Sequence, residues 1–108
     1  MTQSPSLTGK QRRYLRSLAH DLNPVVQVGH AGLSDGLVKE LSGALETHEL
    51  LKVKRHKECP LTAGEVAESL SDATASVIVQ VIGGIVVLYR ARAKDPSIVL
   101  PSADAQDD

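Results

Sequence analysis

Residues 25–36 read VVQVGHAGLSDG, and two glycines in this stretch, Gly29 and Gly32, stand three apart between a β-branched run and a helix-capping serine. A main chain without Cβ atoms can turn sharply there and admit a bulky partner at close range. Ser34 suits the N-cap of a following helix and Asp35 its positive end. The first N–H groups of that helix would point back at the turn, an arrangement that suits a phosphate or a sugar–phosphate backbone. The plainer alternative is a tight strand-to-helix turn that needs two glycines and binds nothing. Four residues do not separate these readings.

Three groups of cations bear on the choice. Lys10, Arg12, Arg13 and Arg16 lie on the opening segment. Lys52, Lys54, Arg55, His56 and Lys57 lie on and after a second β-prone run, and Arg90, Arg92 and Lys94 follow a glycine pair. Each group alone reads as a solvated face. The net charge of −1 hides an asymmetry, however. Residues 1–57 carry nine Lys/Arg and five Asp/Glu, whereas residues 58–108 carry three and eight. The glycine turn lies in the positive half. Lys and Arg there can neutralise phosphates and give sequence-independent, salt-sensitive affinity, and Arg12 and Arg13 can make bidentate phosphate contacts. The glycine spacing is also that of the GXXG loop with which KH-type domains clamp a short length of nucleic-acid backbone.

Other chemistry finds less support. His20, His30, His48 and His56 form no metal-binding motif with a neighbouring carboxylate. His30, inside the glycine turn, reads equally as a base or phosphate contact and as an exposed loop side chain. Cys59 is the single cysteine, so there is no internal disulfide and no multi-cysteine zinc site. A Cys59–His56 nucleophilic pair lacks an orienting third group. Ser34 has no G-x-S-x-G context, and Gly83-Gly84 lacks the Lys-Ser/Thr of a P-loop. The expectation is a protein without metal, cofactor or catalytic activity. Aromatics are 2% of the 108 residues, so the core must be aliphatic and extensive base stacking on aromatic rings is not expected. No apolar run approaches the ~20 residues that span a bilayer, and the N-terminus has no apolar signal core. A reduced, cytoplasmic, soluble protein with no membrane partner is expected.

The elements that must position these residues follow from capping and periodicity. Residues 1–6 read as a flexible arm. Thr8 and Gln11 fit a capping box that opens a helix to about His20, with Leu15, Leu18 and Ala19 as its apolar stripe and Leu7 as a staple. Val25–Val28 is a short strand. A second helix runs from Ser34 to about His48, followed by a strand with Leu51 and Val53 inward and Lys52 and Lys54 outward. Thr62 and Glu65 form a second capping box for a third helix. Residues 77–82 and 85–90 are β-prone runs around Gly83-Gly84, a hairpin signal. Residues 91–101 add a last extended piece around Ile98-Val99-Leu100, and 102–108 read as a disordered acidic tail. The alternation implies one α/β domain over 7–101, an α–β–α–β–α–β–β sandwich with helices on a mixed four-stranded sheet.

The segments LTGKQRRYLR, NPVVQVG, the GxxG turn, HELLKVK and VLYR, in this order and spacing, resemble the YhbY-like family of CRM domains (chloroplast RNA splicing and ribosome maturation). The resemblance covers about residues 7–101. It implies a fold similar to the C-terminal domain of bacterial translation initiation factor three, with KH-like features. It also implies RNA binding without catalysis, with bacterial stand-alone members linked to precursors of the large ribosomal subunit. RNA, in particular the large-subunit rRNA precursor, and neighbouring ribosomal proteins are the partners it suggests for a monomer. By the family's pattern Gly29, His30, Ala31 and Gly32 form the RNA-contacting loop. With the cationic side chains, the candidate site is Lys10, Arg12, Arg13, Arg16, Gly29, His30, Ala31, Gly32, Lys52, Lys54 and Arg90. Two departures stand out. The family's hairpin usually carries a basic residue after its first glycine, where this chain has Gly84, and the Arg55–Pro60 segment matches poorly. The rival reading is a protein-interaction module whose acidic second half docks a basic partner, with the glycine turn only structural.

Overall fold

Each helix begins where a hydroxyl can satisfy amides that a first turn leaves without partners. Thr8 Oγ1 accepts from Gln11 N (3.0 Å) and Gln11 Oε1 accepts from Thr8 N (3.1 Å), opening α1 over Gly9–Ala19. Ser34 Oγ accepts from Leu37 N to open α2 over Asp35–His48. Thr62 and Glu65 repeat the reciprocal pair at α3, Ala63–Thr74. These three starts lie where the sequence places them.

The computed structural model describes residues 7–101. The arm expected at 1–6 and the tail expected at 102–108 lie outside the described residues. The strands are β1 (Val26–Val28), β2 (Leu50–Arg55), β3 (Val77–Ile82) and β4 (Ile85–Tyr89), and the element order is the expected α–β–α–β–α–β–β. The sheet order is β1-β2-β4-β3, with β1 parallel to β2 and the other two pairings antiparallel.

The sheet is covered on both faces. On one, α2 and α3 bury Leu41, Leu45, Val66 and Leu70 against Val28, Leu51, Val53, Val86 and Leu88. On the other, α1 lays Leu15 and Ala19 on Leu50, Val79, Val87 and Tyr89. Full burial of a side chain such as Leu15 contributes about 1.5–3 kcal/mol. The expected stripe of α1 needs one correction: Leu18 is 39% exposed, and the buried line is Gln11, Leu15 and Ala19. Gln11 tolerates burial because both ends of its amide are used, the Nε2 donating to Pro101 O at 2.9 Å.

β3 carries a bulge. Ile78 faces Leu88 and Gln80 faces Val87, so Val79 is the extra residue. A bulge leaves ladder groups without their strand partner. Arg12 on α1 reaches them, its guanidinium donating to Ile78 O and, at 3.3 Å, to Val79 O.

Beyond β4, residues 91–101, where an extended piece is expected, lie outside the four-stranded sheet and form a strap. Ile98 and Leu100 pack on the core beneath α1, while Val99 is exposed. Its anchor is Glu49, fully buried at the C-cap of α2. The carboxylate accepts from Arg92 N (2.8 Å), Ser97 N (2.7 Å) and Ile98 N (3.0 Å). Glu49 has φ 63, a region that costs a non-glycine residue about 1–3 kcal/mol. Three charge-assisted bonds offset that strain. Burial opposes the charge, but the three amides and the Arg92 guanidinium prevail and hold the carboxyl below its ordinary value.

A carboxyl depressed in this way contributes stability above its unfolded-state pKa and loses it as pH falls through the folded-state one. Glu49→Gln is therefore expected to be less stable than the wild type at neutral pH and to lose less stability between about pH 5 and pH 3. Urea midpoints across that range check this. Parallel pH profiles for the two proteins would contradict the role given to Glu49.

Candidate nucleic-acid interface

Because β1 and β2 are parallel, the turn after β1 and the loop after β2 leave the sheet at the same end. Two main-chain bonds fix them there. His56 N donates to Val28 O (2.9 Å), and on the other side of β2 Arg55 N donates to Gly84 O (2.7 Å). The glycine turn, the 56–61 loop and the β3–β4 hairpin therefore stand side by side. At Gly84 a Cβ would lie 2.9 Å from the Arg55 carbonyl oxygen. The basic side chain that the family resemblance places there has no room in this conformation.

The two glycines of the turn differ in kind. Gly32 N donates to Gly29 O (2.9 Å), closing the turn with His30 and Ala31 exposed at its tip. Gly32 has φ +70, so the backbone itself favours glycine there, while a Cβ would make only ordinary contact with the Pro60 ring at 3.6 Å. At Gly29 the backbone is outside the left-handed region, and a Cβ would meet nothing within 4 Å. Nothing in the fold demands glycine at 29, and the corner is open to solvent. The start of α2 adds little attraction for an anion. Ser34 Oγ takes one of its amides, and Asp35 in the first turn offsets the roughly half-unit positive charge of the helix end.

Cationic side chains supply the field instead. Lys54 and Lys57 are exposed at this end and line a surface cleft with Arg55, His56, Gly84 and one acidic residue, Glu58. The His56 ring pairs with Gln27 Oε1. Lys52, two residues before Lys54 on the same strand face, donates through Nζ to His20 O (3.3 Å) at the end of α1, with Arg16 alongside. Of the residues singled out in the sequence, Gly29, His30, Ala31, Gly32, Lys54, Lys52 and Arg16 thus follow one another around one end of the sheet and onto its α1 face. Lys10 and Arg13 lie one to two turns further back along α1. Arg12 and Arg90 stand apart. Arg12 is bound into the β3 bulge. Arg90, at the opposite end of β4, donates to Thr74 O (2.9 Å), Ser42 O (3.1 Å) and Ser42 Oγ (3.3 Å) and pairs with Glu46 (3.0 Å), joining α2 to α3. Arg92 caps the last carbonyls of α2, from Glu46 and Thr47, both at 3.0 Å. Arg55 folds the 56–61 loop by donating to Leu61 O and Cys59 O, and Cys59 is buried in the core.

Gln27 was not singled out in the sequence, yet it holds His56 beside the turn. A lone polar residue inside the run VVQV was its available signal. The opposite layer has the opposite sign. The α2 and α3 helices carry Asp35, Glu40, Glu46, Glu65, Glu68 and Asp72 against Lys39 alone, whereas α1 has no acidic residue. Among the described residues, no group of three or more His, Cys, Asp or Glu could hold a metal ion, and no helix is long and apolar enough to cross a membrane.

Residues 7–90 match the family model described as the CRS1 / YhbY (CRM) domain, which leaves the strap outside the matched region. The chain is 44% identical over 95 residues to "Probable RNA-binding protein YqeI" of Bacillus subtilis, covering 88% of this chain and 99% of that one. It is 41% identical over 96 residues to "RNA-binding protein" of Haemophilus influenzae, covering 89% and 96%. Among solved structures, the solution structure of the hypothetical protein SAV1595 from Staphylococcus aureus superposes with a TM-score of 0.75 at 45% identity, covering 89% of this chain and all of that one.

The contrast between the two glycines has a direct test in thermal or urea unfolding. Gly32→Ala is expected to lose about 1–2 kcal/mol, the cost of holding an L-residue in the left-handed region, while Gly29→Ala stays within about 0.5 kcal/mol of the wild type. Arg12→Ala, which strips the bulge carbonyls of their donor, is expected to lose about 1–3 kcal/mol. An Arg12→Ala protein as stable as the wild type would return Arg12 to the set of surface cations.

Proposed function

The chain belongs to the CRS1 / YhbY (CRM) domain family, and from that premise we propose that it binds RNA at the end of the sheet where the glycine turn, the 56–61 loop and the hairpin meet. The observation that carries this reading is Gly29, an open glycine that the fold does not need, one residue after Val28, whose carbonyl accepts from His56 N, at the sheet end where Lys54, His56 and Lys57 line a cleft with Glu58. A side chain there would hold a sugar–phosphate strand away from the main chain. Its absence lets the strand approach. Lys54, Lys57, Lys52 and Arg16 provide the attraction, and Lys10 and Arg13 extend it along α1. His30 at the tip of the turn faces the same partner. Arg12 and Arg90 act in the frame that presents these groups and are not contacts. The names of the relatives support RNA as the ligand. The family resemblance supports a non-catalytic role on precursors of the large ribosomal subunit, with specificity set by RNA shape and by neighbouring ribosomal proteins.

A second reading draws on the six carboxylates of α2 and α3. That face suits a basic protein partner. Partners that survive nuclease in a pull-down and are lost in a Glu40→Lys, Glu68→Lys variant favour it.

The RNA reading is tested by binding to structured large-subunit rRNA fragments across a salt titration. Wild-type log K is expected to fall linearly with log salt, and Lys54→Gln to reduce the slope by about one. Gly29→Asp is expected to weaken binding at least about tenfold, about 1.4 kcal/mol, with an unchanged unfolding midpoint. Affinity indifferent to salt, or full affinity in a folded Gly29→Asp, Lys54→Glu double variant, contradicts the proposal.

A further inference from the structure

α1 leaves part of its sheet face open. Beside its last turn lies a cleft of about 240 Å³ between Arg16 and His20 of the helix and Lys52, Gln80, Ile82 and Ile85 of the sheet. The β3 bulge creates it. By adding Val79 to the strand, the register shift pairs Gln80 with Val87 and Ile82 with Ile85, on the α1 face. The floor is apolar and exposed, Ile82 being 60% accessible. The rim is cationic, through Arg16 and Lys52. Gln80 offers an amide that can both donate and accept. Asp21 lines an adjoining cleft with Arg16, Ser17, His20 and Gln80.

An apolar floor, an amide at its edge and cations at its rim fit one chemistry, a heterocyclic base still attached to its phosphate. The volume falls below the ~300 Å³ at which sites for drug-sized ligands begin, so it suits a single base and not a base pair. No Phe, Tyr or Trp lines the cleft and its one ring is the His20 imidazole, so the base would rest chiefly on aliphatic carbon. We infer that this cleft receives one unpaired nucleotide of the bound RNA, its base on Ile82 and Ile85, its edge on the Gln80 amide and its phosphate on Arg16. The inference rests on the RNA reading and adds a preference to it: RNA with an unpaired nucleotide over the same RNA fully paired.

The experiment uses the full chain and two RNA hairpins of one stem, one continuous and one with a single bulged 2-aminopurine. The wild type is expected to prefer the bulged hairpin about tenfold, about 1.4 kcal/mol, and to change the 2-aminopurine fluorescence on binding. Ile82→Thr and Gln80→Leu, with unfolding midpoints like the wild type, are expected to reduce that preference to about twofold or less and to remove the fluorescence change. Equal wild-type affinity for both hairpins overturns this inference and leaves the RNA reading standing. Failure to bind either hairpin overturns both. A concentration-dependent dimer that Ile82→Thr abolishes assigns the cleft to a second copy of the chain and also overturns it.

Discussion

Two adjacent amides at the end of β2 hold one end of the sheet together. Arg55 N bonds Gly84 O on one side and His56 N bonds Val28 O on the other. One strand end thereby fixes the position of both neighbouring turns. The price of this arrangement is local and visible: position 84 cannot carry a side chain, because its Cβ would press on the Arg55 carbonyl. The 56–61 loop completes the set. Arg55 folds it back through Leu61 O and Cys59 O, and Pro60 lies against the glycine turn. The surface proposed for RNA is thus a braced corner of three turns.

The cations divide by chemistry as well as by place. Arg12, Arg55, Arg90 and Arg92 each turn several guanidinium donors onto main-chain carbonyls, at a bulge, a loop, a helix pair and a helix end. A planar fork with five donors in fixed directions suits clusters of carbonyls better than a flexible ammonium with three. Lys54 and Lys57 remain exposed at the corner. Charge counting along the sequence therefore overstates the positive surface, since a share of that charge holds the scaffold. The acidic outer face of α2 and α3 sharpens what is left by confining the positive potential to the other side.

Local chemistry was legible in the sequence. Thr8 with Gln11, Thr62 with Glu65 and Ser34 with Leu37 N all act across three residues, so spacing alone locates the helix starts. The hairpin and the element order follow from glycines and β-branched runs in the same way. What escaped detection acts over long separations. Arg12 meets the β3 bulge 66 residues away, and nothing in VIVQVI marks Val79 as the extra residue. Glu49 meets the strap 43 to 49 residues away, and a glutamate between a helix and a strand reads as solvated until the strap is seen to bury it. Leu18 was misplaced because α1 contacts the sheet along a single i, i+4 line, and the polar Gln11 completes it.

The central claim is that RNA lies on the corner formed by the glycine turn, the end of β2 and the hairpin, and continues onto the α1 face. Amide chemical-shift mapping during titration with an rRNA fragment tests it most directly. The account predicts the largest changes at Gly29–Gly32, Lys52–Lys57 and the last turn of α1, with the outer faces of α2 and α3 silent. Changes concentrated on α2 and α3, with a silent Gly29–Gly32 turn, would contradict it.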